Sequence, residues 1–161
     1  MKDQGTVLVG IGNDVLSDDR IGPYLARRLG KKLNVSFCIL PHISLDLLDY
    51  VENKDTVIII DSFHRPDYPV GEIKQFQLSD LESRDNPTYS HGVTIPIIFE
   101  MGKKIGSPLP EKTVVFGINV SDNLTLSEDF SEKIQGKIDE IARNLEIHMK
   151  NFADSKVVTQ K

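Results

Sequence analysis

The chain has 161 residues, 39% of them apolar and 27% charged, which is the make-up of one globular domain with a single sizeable core. A net charge of −5 argues against nucleic acid as a partner, because phosphate binding rests on clustered Lys and Arg. No apolar run reaches the about 18–20 residues that cross a bilayer, and the N-terminus lacks a signal peptide's apolar region. The single cysteine, Cys38, cannot form an internal disulfide and reads as a small buried hydrophobe, so a reducing cytoplasm is the expected setting.

The first element is a short β-branched strand from Val7, followed by Gly10 and Gly12 and a polar loop holding Asn13, Ser17, Asp18 and Asp19. Ser17 and Asp18 are good helix N-cap types, and Pro23 suits a first helical turn. Residues 21–32 then carry a helical apolar face closed near Gly30. The basic run Arg27, Arg28, Lys31, Lys32 falls at the end of that helix, where cations favour the helix dipole. Val35 to Leu40 is a second strand. Ile43, Leu47, Leu48 and Val51 share a helical face with Ser44 as a candidate cap. Thr56 to Ile60 is the most apolar run in the chain and predicts a central strand covered on both faces.

That strand is expected to stop at Asp61, where a polar, proline-broken loop begins. Residues 72–78 alternate and read as an edge strand, and residues 79–89 as a loop with a turn of helix. Ser90-His91-Gly92 opens a predicted helix that ends near Gly106, with Pro96 in its first turns. Thr113 to Ile118 is a further strand, Ser127 to Met149 an amphipathic helix, and 151–161 a loose tail on a domain spanning 1–150. Strands alternating with helices predict an α/β fold, a three-layer αβα sandwich around a twisted, mostly parallel sheet of about five strands.

Ligands of such sheets bind beyond the carboxyl ends of the strands. Asp18 and Asp19 follow the first strand there, Asp61 ends the most apolar one, and His91 lies beyond the fourth. Each has a plainer role open to it. Asp19 could complement a helix dipole, Asp61 could form a turn, and His91 could sit at a helix start. Asp61 is the hardest to dismiss, because it borders the core, where an unpartnered charge is costly. His64 is a rival ligand whose setting, Phe-His-Arg-Pro, looks more like a partner contact; His42 and His148 lack polar company.

Other chemistries fit less well. The dinucleotide fingerprint needs a third small residue where Val15 stands, and no phosphate-loop Gly-Lys-Ser/Thr follows Gly12. Ser90 and His91 are adjacent and cannot easily face each other as a triad with Asp61, and no Gly-x-Ser-x-Gly elbow exists. Asp19, Asp61 and His91 together make a mixed oxygen and nitrogen set suited to nickel, zinc or iron with coordination positions left open.

The ordered combination of GIGNDVLSDDRIG over 10–22, an apolar strand ending in Asp61, and Ser90-His91 before a helix closed by Gly106 resembles the hydrogenase maturation endopeptidases. These cytosolic proteases trim the C-terminus of a [NiFe]-hydrogenase large subunit once nickel is inserted, and the likeness runs from Val7 to about Ile141. It implies an αβα sandwich, a monomer, and a metal-contacting set of Asp19, Asp61 and His91. Nickel would be brought by the large-subunit precursor rather than permanently bound. Asp19 or Asp61 would take a proton from the attacking water, with Asp18 as the spare catalytic carboxylate. Gly10, Gly12 and Asn13 would shape the floor and His64 would meet the substrate. Arg20 stands where the family usually has Gly or Ala, free to pair with Asp18 or to alter precursor choice. The acidic ligand is Asp19 where some members use glutamate. Two rivals stay open: a chaperone that inspects the precursor without cutting it, and a nucleoside- or phosphate-binding protein on the same scaffold.

Overall fold

The computed structural model describes residues 5–81 and 94–155. Its centre is a five-stranded sheet in the order β2-β1-β3-β5-β4, built from β1 (Thr6–Ile11), β2 (Ser36–Leu40), β3 (Thr56–Phe63), β4 (Ile73–Phe76) and β5 (Lys112–Asn119). Neighbours β2-β1-β3-β5 are parallel and β4 pairs antiparallel with β5 at the edge. β1 and β3 are buried along almost their whole length, as expected of strands covered on both faces.

Two apolar layers close on the sheet. Leu8, Ile58, Ile60 and Phe116 pack under α1 (Ile21–Leu33) and α6 (Ile138–Asp154) with the short α5 (Glu132–Gln135). Val9, Val57, Ile59 and Val115 pack under α2 (Leu47–Val51) and α4 (Ile95–Ile105), with α3 (Leu78–Leu81) beside them. Odd-numbered residues of β3 thus face the α2–α4 layer and even-numbered ones the α1–α6 layer. The chain leaves β1 for β2 on one side and returns to β3 on the other, so the crevice between β1 and β3 is the point where the winding reverses. Among the described residues no helix is long and apolar enough to cross a membrane.

Several boundaries differ from expectation. β3 does not stop at Asp61 but runs to Phe63, because β5 continues to pair with it as far as Asn119. Ser17 and Asp18 do not cap a helix; Ser17–Arg20 is one 3-10 turn, and α1 starts at Ile21 without a side-chain cap. Thr94 is the extended N-cap residue of α4, with Pro96 in the first turn. That helix opens at Ile95; Ser90 and His91, expected to open it, lie outside the described residues. The last helix, expected from Ser127, begins late: α5 opens behind Ser131, whose side chain accepts from the Ile134 amide. α6 carries on through Asp154, four residues into the expected tail. Phe152 packs on the core there, and Lys112 Nζ donates to the carbonyls of Phe152 and Ala153 at the helix end.

Candidate active site

Asp19 and Asp61 meet at the β1–β3 crevice, from opposite sides of the sheet. Asp61 lies on the face of β3 turned to the α2–α4 layer and is 9% exposed. Its Oδ1 accepts the Ser62 amide at 2.8 Å. Burial pushes its carboxyl up to about 7; the Ser62 amide pulls the other way, and the negative charge of Asp19 adds to the rise. Asp19 reaches in from the 3-10 turn on the other face. One of its oxygens accepts the Asn13 amide at 2.7 Å and the other accepts the Ser62 hydroxyl at 2.8 Å.

Ser62 therefore touches both carboxylates, one through its backbone and one through its side chain. Sequence reasoning missed it. The available signal was strand alternation: a residue next to Asp61 in a central strand points to the layer from which Asp19 comes.

Asp18 takes a different part from the one expected of it. It is fully buried, and its carboxylate accepts four bonds, from the amides of Ser121 (3.1 Å), Asp122 (2.9 Å) and Ser131 (2.7 Å) and from the Ser131 hydroxyl (2.7 Å). A carboxylate so occupied ties both ends of the β5–α5 connection to the turn before α1 and has no oxygen to spare for catalysis. Arg20 does not pair with it either; the guanidinium lies over the Phe130 ring, 4.8 Å from its centroid.

The glycines serve the scaffold. A Cβ on Gly10 would come within 2.6 Å of the Gly22 carbonyl and 2.8 Å of Ala26 Cβ, so this glycine lets α1 lie close on β1 rather than lining a floor. Gly12, at φ +151°, leaves room for the backbone carbonyl of Asp19 itself. The backbone space opened by both glycines is filled by protein, which removes the structural basis of a phosphate cradle. Asn13 helps in two ways: its amide holds Asp19, and its side chain accepts from the Val15 amide at 3.1 Å to shape the loop.

His64 stands exposed on the same rim, with Nδ1 2.8 Å from the Val120 carbonyl oxygen. A carbonyl oxygen can only accept, so Nδ1 is the donor of that bond. Cys38 plays no part, since burial pushes its thiol up to about 11. A cavity of about 340 Å³ lies between β4 and α6, lined by residues including Glu72, Ile73, Ile141 and His148; none of the candidate site residues borders it.

Among the described residues no three His, Cys, Asp or Glu side chains cluster as a metal site. The described part of the expected donor set is the Asp19–Asp61 pair, and His91 lies outside the described residues. Two carboxylates flanked by amide and hydroxyl donors form an oxygen-rich half-site that suits a divalent cation and leaves positions open.

An αβα sandwich with paired carboxylates at its winding-reversal point defines the class, and solved structures share that fold. The hydrogenase maturating endopeptidase HybD from E. coli superposes with a TM-score of 0.68 at 15% identity, over 91% of this chain and 92% of that one. The [NiFe] hydrogenase maturation protease HybD from Thermococcus kodakarensis gives 0.68 at 13% identity, over 89% and 97%. The [NiFe] hydrogenase maturation protease HycI from Thermococcus kodakarensis KOD1 gives 0.63 at 23% identity, over 91% and 93%. No protein-family model and no curated protein matches the sequence. At these identities the likeness shows the fold: this chain is folded as those proteases are.

Proposed function

We propose that the protein is an endopeptidase that removes a C-terminal extension from a nickel-loaded [NiFe]-hydrogenase large-subunit precursor. The observation that carries the reading is the Asp19–Asp61 pair, both carboxylates bound to Ser62 at the winding-reversal point of a fold shared with named maturation proteases. In this reading Asp19, Asp61 and His91 contact the nickel that the precursor brings, and His64 meets precursor chain on the rim.

The division of labour follows from the surroundings of each carboxyl. Asp19 is fixed in orientation by two donors and acts as a steady oxygen ligand. Asp61 sits at about 7 before a cation arrives; once the cation has displaced its proton, the oxygen it does not use as a ligand can accept the proton of an attacking water and pass it to the leaving amine. A cation arriving beside Asp61 displaces its proton and relieves the repulsion from Asp19. Asp18 has no chemical step here.

The test is cleavage of the large-subunit precursor from the same organism, followed by loss of its C-terminal peptide. Asp61→Asn is expected to lower kcat/KM by at least about a hundredfold, the usual worth of a general acid–base group, while the variant stays folded. Stable complexes with no cleavage by the wild type would replace this reading with that of a chaperone that inspects the precursor.

A further inference from the structure

We propose that Leu124 and Leu126, with Val15, form a fixed apolar corner on which the precursor protein docks beside the carboxylate pair. The proposal rests on the peptidase reading above and names the surface through which the substrate is held.

Leu124 and Leu126 are 83% and 79% exposed, and Val15 is 45% exposed. Single exposed apolar residues are ordinary on protein surfaces. These three differ in being held together and held still. The Ser127 amide donates to the Val15 carbonyl and the Ser17 amide donates to that of Ser127, both at 3.0 Å, and Leu16 bridges Leu126. The amides of Leu124 and Thr125 both donate to Asp122 Oδ1 at 3.0 Å. Behind this loop the buried Asp18 carboxylate binds the amides of Ser121 and Asp122. A loop tied at so many points holds its leucines in place, where among the described residues they stand exposed.

That place adjoins the site. Asn13, whose amide holds Asp19, is two residues from Val15, and Asp18 precedes Asp19 in the same turn. The loop itself abuts the turn that carries Asp19, since the Asp18 amide donates to the Asp122 carbonyl at 2.8 Å and His64 Nδ1 lies 2.8 Å from the Val120 carbonyl oxygen, so a protein substrate brought to Asp19 and Asp61 meets it. A small molecule bound at the carboxylates would not need it. Glu128 and Asp129 are exposed next to the patch, so its complement is an apolar spot with Lys or Arg at the margin.

The experiment compares wild type, the double variant Leu124→Ser/Leu126→Ser, and Ile105→Ser. Ile105 is 73% exposed at the end of α4 that leads into the start of β5, away from the site. KM and kcat are measured on the nickel-loaded precursor, with binding measured in an Asp19→Asn background, and Tm and sedimentation for every variant. The double variant is expected to raise KM and Kd at least tenfold at an unchanged Tm, the loss falling on KM rather than kcat, with Ile105→Ser at wild-type values. Unchanged KM and Kd in the double variant, while wild type cuts normally, would overturn the docking corner and leave the peptidase standing. The same holds if only kcat falls. A wild-type dimer that the double variant converts to monomer would assign the patch to a second copy and overturn the proposal. Wild type that neither binds nor cuts the precursor overturns both readings together.

Discussion

At the scale of residues, Asp19 and Asp61 are neighbours kept in opposite conditions. Asp19 has a donor on each oxygen, whereas Asp61 is buried with one amide for company. The consequence for Asp61 is a carboxyl at about 7 in the metal-free protein, against the ordinary value of 3.8. Between those two values the folded chain keeps a proton that the unfolded chain has released. Rising pH therefore favours unfolding across that window, by on the order of 1.4 kcal/mol for each unit of separation, and the loss is complete above about 7. Melting curves of wild type and Asp61→Asn should thus diverge from pH 4 to 7, with the variant gaining on wild type as pH rises. Parallel curves would mean that Asp61 is not held neutral by burial.

At the scale of elements, the decisive piece is the turn Ser17–Arg20 between β1 and α1. It carries two adjacent aspartates that do different work. Asp18 faces inward and fastens the loops at 121–122 and 131, while Asp19 faces the crevice. Charge-assisted bonds of this kind are worth about 1.5–3 kcal/mol each, and the amides they leave behind are costly to bury unpaired. Asp18→Ala should therefore destabilise by several kcal/mol, on the order of 3 or more, and lower Tm well beyond the effect of Asp19→Asn. Asp19→Asn should instead abolish cleavage at nearly wild-type Tm. If Asp18→Ala melted like wild type and only cleavage suffered, Asp18 would be chemical rather than structural.

For the whole molecule, the αβα architecture was legible in the sequence because it rests on local patterns. The run of β-branched residues at 57–60 pointed to a doubly covered strand, and the apolar face of 21–32 to a helix on a core. That Asp19 and Asp61 could share one rim was also legible, since both follow the carboxyl ends of strands, although each had a plainer role open to it. What stayed hidden depended on distant partners. Nothing near Asp18 reveals that Ser131, 113 residues away, will bind it. Asp61-Ser62 reads as a turn until β5 is seen to supply pairing through Asn119, and only that extension fixes Ser62 between the carboxylates. Gly10 and Gly12 look like ligand glycines because the residues that fill their space, Ala26 and Asp19, come from the following turn and helix.

On the proposed reading, this carboxylate pair acts on a precursor in which nickel is already seated. The most direct measurement is the intact mass of the large-subunit precursor before and after incubation with the protein, run in parallel on nickel-loaded and nickel-free precursor, and repeated with Asp19→Asn. Loss of a single C-terminal peptide is expected from the nickel-loaded precursor with wild type alone. Equal cutting of nickel-free precursor would contradict the metal-reading role of Asp19 and Asp61.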